Sequence, residues 1–258
     1  MRVNKDMIAK GKRMPYLIIT LITLAVIIAQ NYISRWMYKV SFDLYPIYQG
    51  IDPENAFMYL FLHHIMQLVL YILLILLVGR LLHIKLKEFG FNFNNAKISL
   101  IYSIAFVIVW ALMQFGVSYI MYSNGSQFHF NFAMNQRNVL GYFLFEVLLS
   151  GSSEELFYRG LIVTVILKTM QVYIKKQRNL YLLAVLISMI VFMAGHIDFH
   201  LFPFRIIYIN FLQQLTVISV TIFYCITFFK TKSLLGPILM HNLINGVVTL
   251  TVLYFASL

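Results

Sequence analysis

The chain has 258 residues, 61% of them hydrophobic and 11% charged, and a net charge of +11; its mean hydropathy is +0.81. Soluble domains run nearer half apolar and a quarter charged, so no soluble core of this length hides so much apolar surface, and the solvent must be lipid. The 20 Lys and Arg against 9 Asp and Glu follow a membrane topology rather than a nucleic-acid surface, and the single cysteine, Cys225, excludes a disulfide framework within the chain.

A run of about 20 apolar residues spans a roughly 30 Å hydrocarbon core. The first run, at about 15–34, follows the basic stretch MRVNKDMIAKGKRM. It is long enough to span, and no small-x-small cleavage site follows it. A retained transmembrane helix is therefore expected, not a signal peptide. Six more runs, at roughly 56–79, 98–122, 139–167, 180–197, 204–229 and 234–257, make about seven. Spanning segments must satisfy their own backbone, and the alternation of a barrel strand is absent, so these are helices. The expected fold class is all-α, a polytopic integral membrane protein with about seven transmembrane helices. No repeat or low-complexity tract interrupts it. Residues 1–138 are expected to hold the N-terminal segment and three helices, and 139–258 a catalytic helical core.

The cations set the orientation. Five lie in the N-terminal segment (Arg2, Lys5, Lys10, Lys12, Arg13) and four in loop 80–97 (Arg80, Lys85, Lys87, Lys97). Loop 168–179 holds Lys168, Lys175, Lys176 and Arg178, and loop 230–233 holds Lys230 and Lys232. The alternate loops hold only Arg35, Lys39, Arg137 and Arg205. This asymmetry predicts a multi-pass protein of the cell membrane with its N-terminus in the cytoplasm.

The fourth run contains GSSEELFYRG, residues 151–160. Ionisable side chains inside a membrane cost about 2.5–3.5 kcal/mol each on insertion scales, so each invites a functional explanation. Glu155 and Arg159 are four apart and share a helix face, where they can pair. Glu154 is not four from Arg159 and is left as the free carboxylate, suited to general acid–base work. FMAGH, Phe192 to His196, puts an imidazole at the end of an apolar helix. In GPILMHNLINGV, His241 and Asn245 are four apart, on one face, and able to donate to a developing oxyanion. Glu146, two turns before Glu154 but about 80° round an α-helix, can line the cavity, but a protonated helix contact is the favoured reading. His63 and His64 are read as packing residues, and Gln114, Gln213 and Gln214 as interhelical hydrogen bonders.

E-E-x-x-x-R, F-x-x-x-H and H-x-x-x-N, in that order on separate expected spans, resemble the CAAX protease and bacteriocin-processing (CPBP, or Abi) family of intramembrane proteases, which includes the Rce1-type endopeptidases. The flanking FYRG and SLLGPILMHNLIN are similar to that family's usual context. The resemblance covers about 139–250. It implies a glutamate-dependent intramembrane endopeptidase in which Glu154 activates water with help from His196. His241 and Asn245 would hold the oxyanion, and Glu155 with Arg159 would order the site or bind substrate. The implied partners are the lipid bilayer and a hydrophobic or membrane-anchored peptide: a prenylated-type tail, a bacteriocin or a signalling propeptide. No nucleic acid is expected. The rival is a non-catalytic membrane protein of bacteriocin self-immunity or transport. No cofactor is expected. Zinc is the less favoured option: Glu154, His196 and His241 could supply ligands and His200 in HIDFH lies near, but H-E-x-x-H is absent, and His200 reads as interfacial.

Overall fold

The structure is a computed structural model that describes residues 5–258, with side chains from Met14 onward. Of the N-terminal cationic cluster, Arg2 lies outside the described residues, as do the side chains of Lys5, Lys10, Lys12 and Arg13.

Six helices are each long and apolar enough to cross a membrane. They are α1 (Lys5–Asp43), α2 (Met58–Leu82), α3 (Ala96–Ser123), α5 (Gln177–Gly195), α6 (Phe211–Thr231) and α7 (Leu235–Ala256). The seventh expected run is an unbroken helical path over 136–170, here α4, that changes its winding. It is α-helical over Gln136–Phe145, π-helical over Glu146–Ser150, α-helical over Gly151–Glu155, π-helical over Leu156–Val163 and α-helical over Thr164–Met170. No single stretch of it reaches the 18 residues of a simple span. Every spanning element is a helix, and the fold is an all-α polytopic membrane fold. Val109 and Leu112 on α3 are 66% and 72% exposed, which lipid accommodates and water does not.

Two boundaries differ from the sequence expectation. Helix α1 runs on to Asp43, so Arg35 and Lys39 sit on its last turns, where Lys39 pairs with Asp43 at 3.5 Å. The sixth span begins at Phe211, because 204–209 is a strand. Residues Ile197–Leu201 (β1) and Phe204–Ile209 (β2) form an antiparallel hairpin, the only sheet among the described residues. FRIIYI, β-branched and aromatic and led by Pro203, favours extended backbone over helix.

The chain divides into two compact units, residues 1–34 with 162–222, and residues 35–161 with 223–258. In the first, α5 packs on Thr164–Met170 and on β1. Gln30 and Asn31 of α1 donate to the carbonyls of Val191 (2.8 Å) and Ile197 (3.2 Å). In the second, α7 packs along α3 and across the Glu146–Ser150 and Gly151–Glu155 turns of α4, while α2 packs on Gly151–Glu155 as well. The loop before α2 is tied down by buried Asp52, whose carboxylate accepts from the amides of Ala56, Phe57 and Met58, each at 2.8 Å. Those are the donors that a helix start leaves unsatisfied.

Candidate active site

The site of the second unit is built where α7 meets the middle of α4. Gly151 makes that approach possible: a Cβ there would stand 2.5 Å from His241 Cβ. Gly246 does the same one turn further along α7, where a Cβ would meet Val147 Cγ1 at 2.7 Å. Two glycines without side chains therefore bring the polar face of α7 against the carboxylates of α4.

The two adjacent glutamates have different surroundings. Glu155 is fully buried, and its Oε1 accepts from Arg159 Nη1 at 2.9 Å and from His241 Nδ1 at 2.8 Å. Arg159 is also fully buried; its guanidinium lies 5.0 Å from the centre of the Tyr224 ring and 5.8 Å from that of Tyr158. The buried cation is thus met by a carboxylate and two aromatic faces, which offset its desolvation. Glu154 keeps 19% of its side chain exposed, and its buried Oε2 has no hydrogen-bond partner among the described residues. The nearest ring nitrogen is His241 Nε2, at 3.9 Å. That is too long for a hydrogen bond and short enough for both groups to touch one small molecule.

The carboxylate of Glu155 accepts from His241 Nδ1, so that nitrogen carries the hydrogen, and Nε2 is turned toward Glu154. Asn245, one turn on, donates from Nδ2 to Glu146 Oε2 at 2.9 Å and to Ser150 Oγ at 3.0 Å. Asn242 donates to Ser152 Oγ at 3.1 Å. On the opposite side α2 contributes His64, whose Nδ1 is 2.7 Å from Ser153 Oγ, with His63 stacked on Tyr38 at 3.7 Å between ring centres. Ser152, Ser153 and Glu155 are thereby held by α7, α2 and the helix's own arginine, through one oxygen of Glu155.

Glu154, Glu155, Arg159, His241 and Asn245, singled out in the sequence, are brought together in one unit. His196 belongs to the other unit, at the C-terminal end of α5. Its Nδ1 is 3.0 Å from the Phe192 carbonyl, which can only accept, so the hydrogen sits on Nδ1 and Nε2 of the neutral ring keeps its lone pair. The carbonyl of His196 accepts from Gln214 Nε2 at 3.3 Å. His200 is exposed on β1, opposite Arg205. Among the described residues no group of three or more His, Cys, Asp or Glu is placed to hold a metal ion.

Glu146 is where the helical-wheel expectation gave way. An α-helix turns about 100° per residue, which puts Glu146 about 80° away from Glu154. The i→i+5 winding of Glu146–Ser150 turns less per residue, and Glu146 swings onto the face that meets α7. Nothing in the residue types of EVLLS announces that winding.

Residues 136–247 match the family model described as type II CAAX prenyl endopeptidase Rce1-like. This stretch is an Rce1-like domain. It carries all three motifs, and the family is one of CAAX-type intramembrane proteases. No curated protein and no solved structure matches the chain. With its apolar helices and this domain, the chain is a multi-pass membrane protein.

Proposed function

We propose that the chain is an intramembrane endopeptidase that hydrolyses a peptide bond of a hydrophobic or lipid-anchored substrate, with Glu154 as the base that activates water. The observation that carries this is the asymmetry of the glutamate pair: Glu155 is fully buried with its Oε1 committed to Arg159 and His241, while Glu154 keeps 19% of its side chain exposed and its unpartnered Oε2 is within reach of a small molecule beside His241. A buried, unsatisfied acceptor is costly to a fold and is kept where a reactant completes it.

Glu154 takes one proton from water as the oxygen bonds to the substrate's carbonyl carbon, and the carbonyl electron pair moves onto its oxygen. The C–N bond then breaks as that proton passes to the leaving amine. On the family resemblance His196 assists, and its Nε2 lone pair suits the task. His241 can donate to the oxyanion from Nε2 only as an imidazolium, since Nδ1–H is held by Glu155. In that form the charges of Glu154, Glu155, Arg159 and His241 cancel, which a low-dielectric site favours. Water is activated here without metal. Arg159 would set a cation beside a dication, which disfavours zinc next to Glu155. The proposed setting is the cell membrane with the N-terminus in the cytoplasm. A prenylated-type tail, a bacteriocin or a signalling propeptide is the proposed substrate class.

The test is a comparison of membrane-bound and secreted peptides between cells carrying the wild type and Glu154→Ala at equal protein level. New peptide termini that vanish in the variant support the enzyme. An identical peptide pool, with the biological role intact in the variant, would support the non-catalytic rival of immunity or transport.

A further inference from the structure

The proposed mechanism gives Glu146 no part, yet Glu146 holds one of its residues. Asn245 Nδ2 is 2.9 Å from Glu146 Oε2 and 3.0 Å from Ser150 Oγ. The Ser150 and Tyr142 hydroxyls lie beside the Glu146 side chain. A primary amide has two hydrogens, and here both are taken. As placed, Asn245 has none to give to an oxyanion, so one of the two bonds must open when substrate reacts.

The two bonds are unequal. Taken as the carboxylate rather than the protonated acid of the sequence reading, Glu146 accepts roughly twice as strongly as a neutral hydroxyl. Ser150 Oγ, besides, lies beside Glu146 and can turn its hydroxyl to that side chain when the amide leaves. The bond to Ser150 is the one that opens at lower cost. The backbone is arranged for this division, because Glu146 and Ser150 are the two ends of one π turn, and both face the same nitrogen.

We propose that Glu146 is the positioning residue for Asn245. It anchors the amide nitrogen through one hydrogen, while the other, parked on Ser150 Oγ, is exchanged for the developing oxyanion. Glu146 touches neither substrate nor water and acts through Asn245. The inference rests on the protease reading above and deepens it by adding a third carboxylate to the machinery.

The experiment measures cleavage of a quenched-fluorescent farnesylated peptide ending in a CAAX sequence by purified protein in nanodiscs. Two residues that touch the same nitrogen should respond in opposite ways. Glu146→Gln should lower kcat about tenfold with KM within about twofold, below the roughly hundredfold or greater cost of removing a whole oxyanion donor. Ser150→Ala frees the parked hydrogen and should leave kcat at or above the wild-type value. In an Asn245→Ala background, Glu146→Gln should have no further effect. Ser150→Ala falling as far as Glu146→Gln, wild-type kcat in Glu146→Gln, or additive losses with Asn245→Ala would each overturn the proposal. If Glu146→Gln does not fold, the sign of the Ser150→Ala effect still decides. A measurement that needs no turnover runs beside these: an experimental structure of Glu146→Ala should show the Asn245 amide displaced, and an amide unmoved from Ser150 would overturn the anchoring role. Glu154→Gln is the control. If it still cleaves, the protease reading fails; if it is inactive while any of those outcomes appears, only the role of Glu146 fails.

Discussion

His241 Nδ1 stands 2.8 Å from Glu155 Oε1, the same oxygen that Arg159 Nη1 reaches at 2.9 Å. One buried carboxylate oxygen therefore joins α7 to α4 and closes the i, i+4 pair within α4. That junction commits Glu155 to both helices, and in the proposed mechanism it is the neighbour, Glu154, that reacts.

The junction predicts unequal effects on folding. Arg159→Ala strands Glu155 in a buried site, and breaking a buried pair on one side costs about 3–5 kcal/mol. The folded yield and the thermal midpoint in detergent should fall sharply. Glu154→Gln removes an oxygen with no partner to lose and should keep both within error. Equal midpoints for the two variants would contradict the assignment.

Gly151 and Gly160 offer a second contrast. Both are buried on α4, but a Cβ at Gly151 would stand 2.5 Å from His241 Cβ, whereas at Gly160 the nearest atoms, Leu234 Cδ1 and the Phe89 carbonyl, are 3.4 Å away. His241 Cβ cannot yield without moving the backbone of α7. Gly151→Ala should abolish activity and lower the thermal midpoint, while Gly160→Ala should be tolerated to within about 1 kcal/mol. Wild-type behaviour of Gly151→Ala would show that α7 does not depend on this contact.

The charge asymmetry gives a topology that reporter fusions can read. Fusions at the N-terminus and after Lys175 should both report the cytoplasm, since fifteen of the twenty cations fall on that side. An extracytoplasmic signal at Lys175 would reverse the orientation.

Much of this was legible in the sequence because its signals are local or additive. Hydropathy summed over about 20 residues located every span, although α1 outran its apolar core by continuing through Arg35 to Asp43. The Glu155–Arg159 pair follows from helical spacing and closes at 2.9 Å, even where the winding turns π. What stayed hidden depends on tertiary fit. The bond from His64 to Ser153 joins residues 89 apart, and two histidines in an apolar helix read equally well as packing. For Glu146 a helix contact is favoured over cavity lining in the sequence because a wheel of constant pitch cannot anticipate a π turn. The β1–β2 hairpin was absorbed into the sixth span because FRIIYI is as apolar as the helix that follows it.

Metal dependence can be checked separately. Protein purified without added zinc should hold well under one zinc per chain by elemental analysis and keep its activity through prolonged chelation. One zinc per chain, with activity lost on chelation and restored by zinc alone, would replace the glutamate mechanism with a metalloprotease.

The measurement closest to the central claim is peptide-bond cleavage by purified protein in nanodiscs, wild type against Glu154→Gln. The substrate is a membrane peptide whose new terminus depends on the protein in cells. The account predicts cleavage by the wild type at one bond and a loss of at least about a hundredfold in kcat for Glu154→Gln, the lower end of what a single acid–base group contributes, with the same thermal midpoint. Cleavage by Glu154→Gln at the wild-type rate would contradict it.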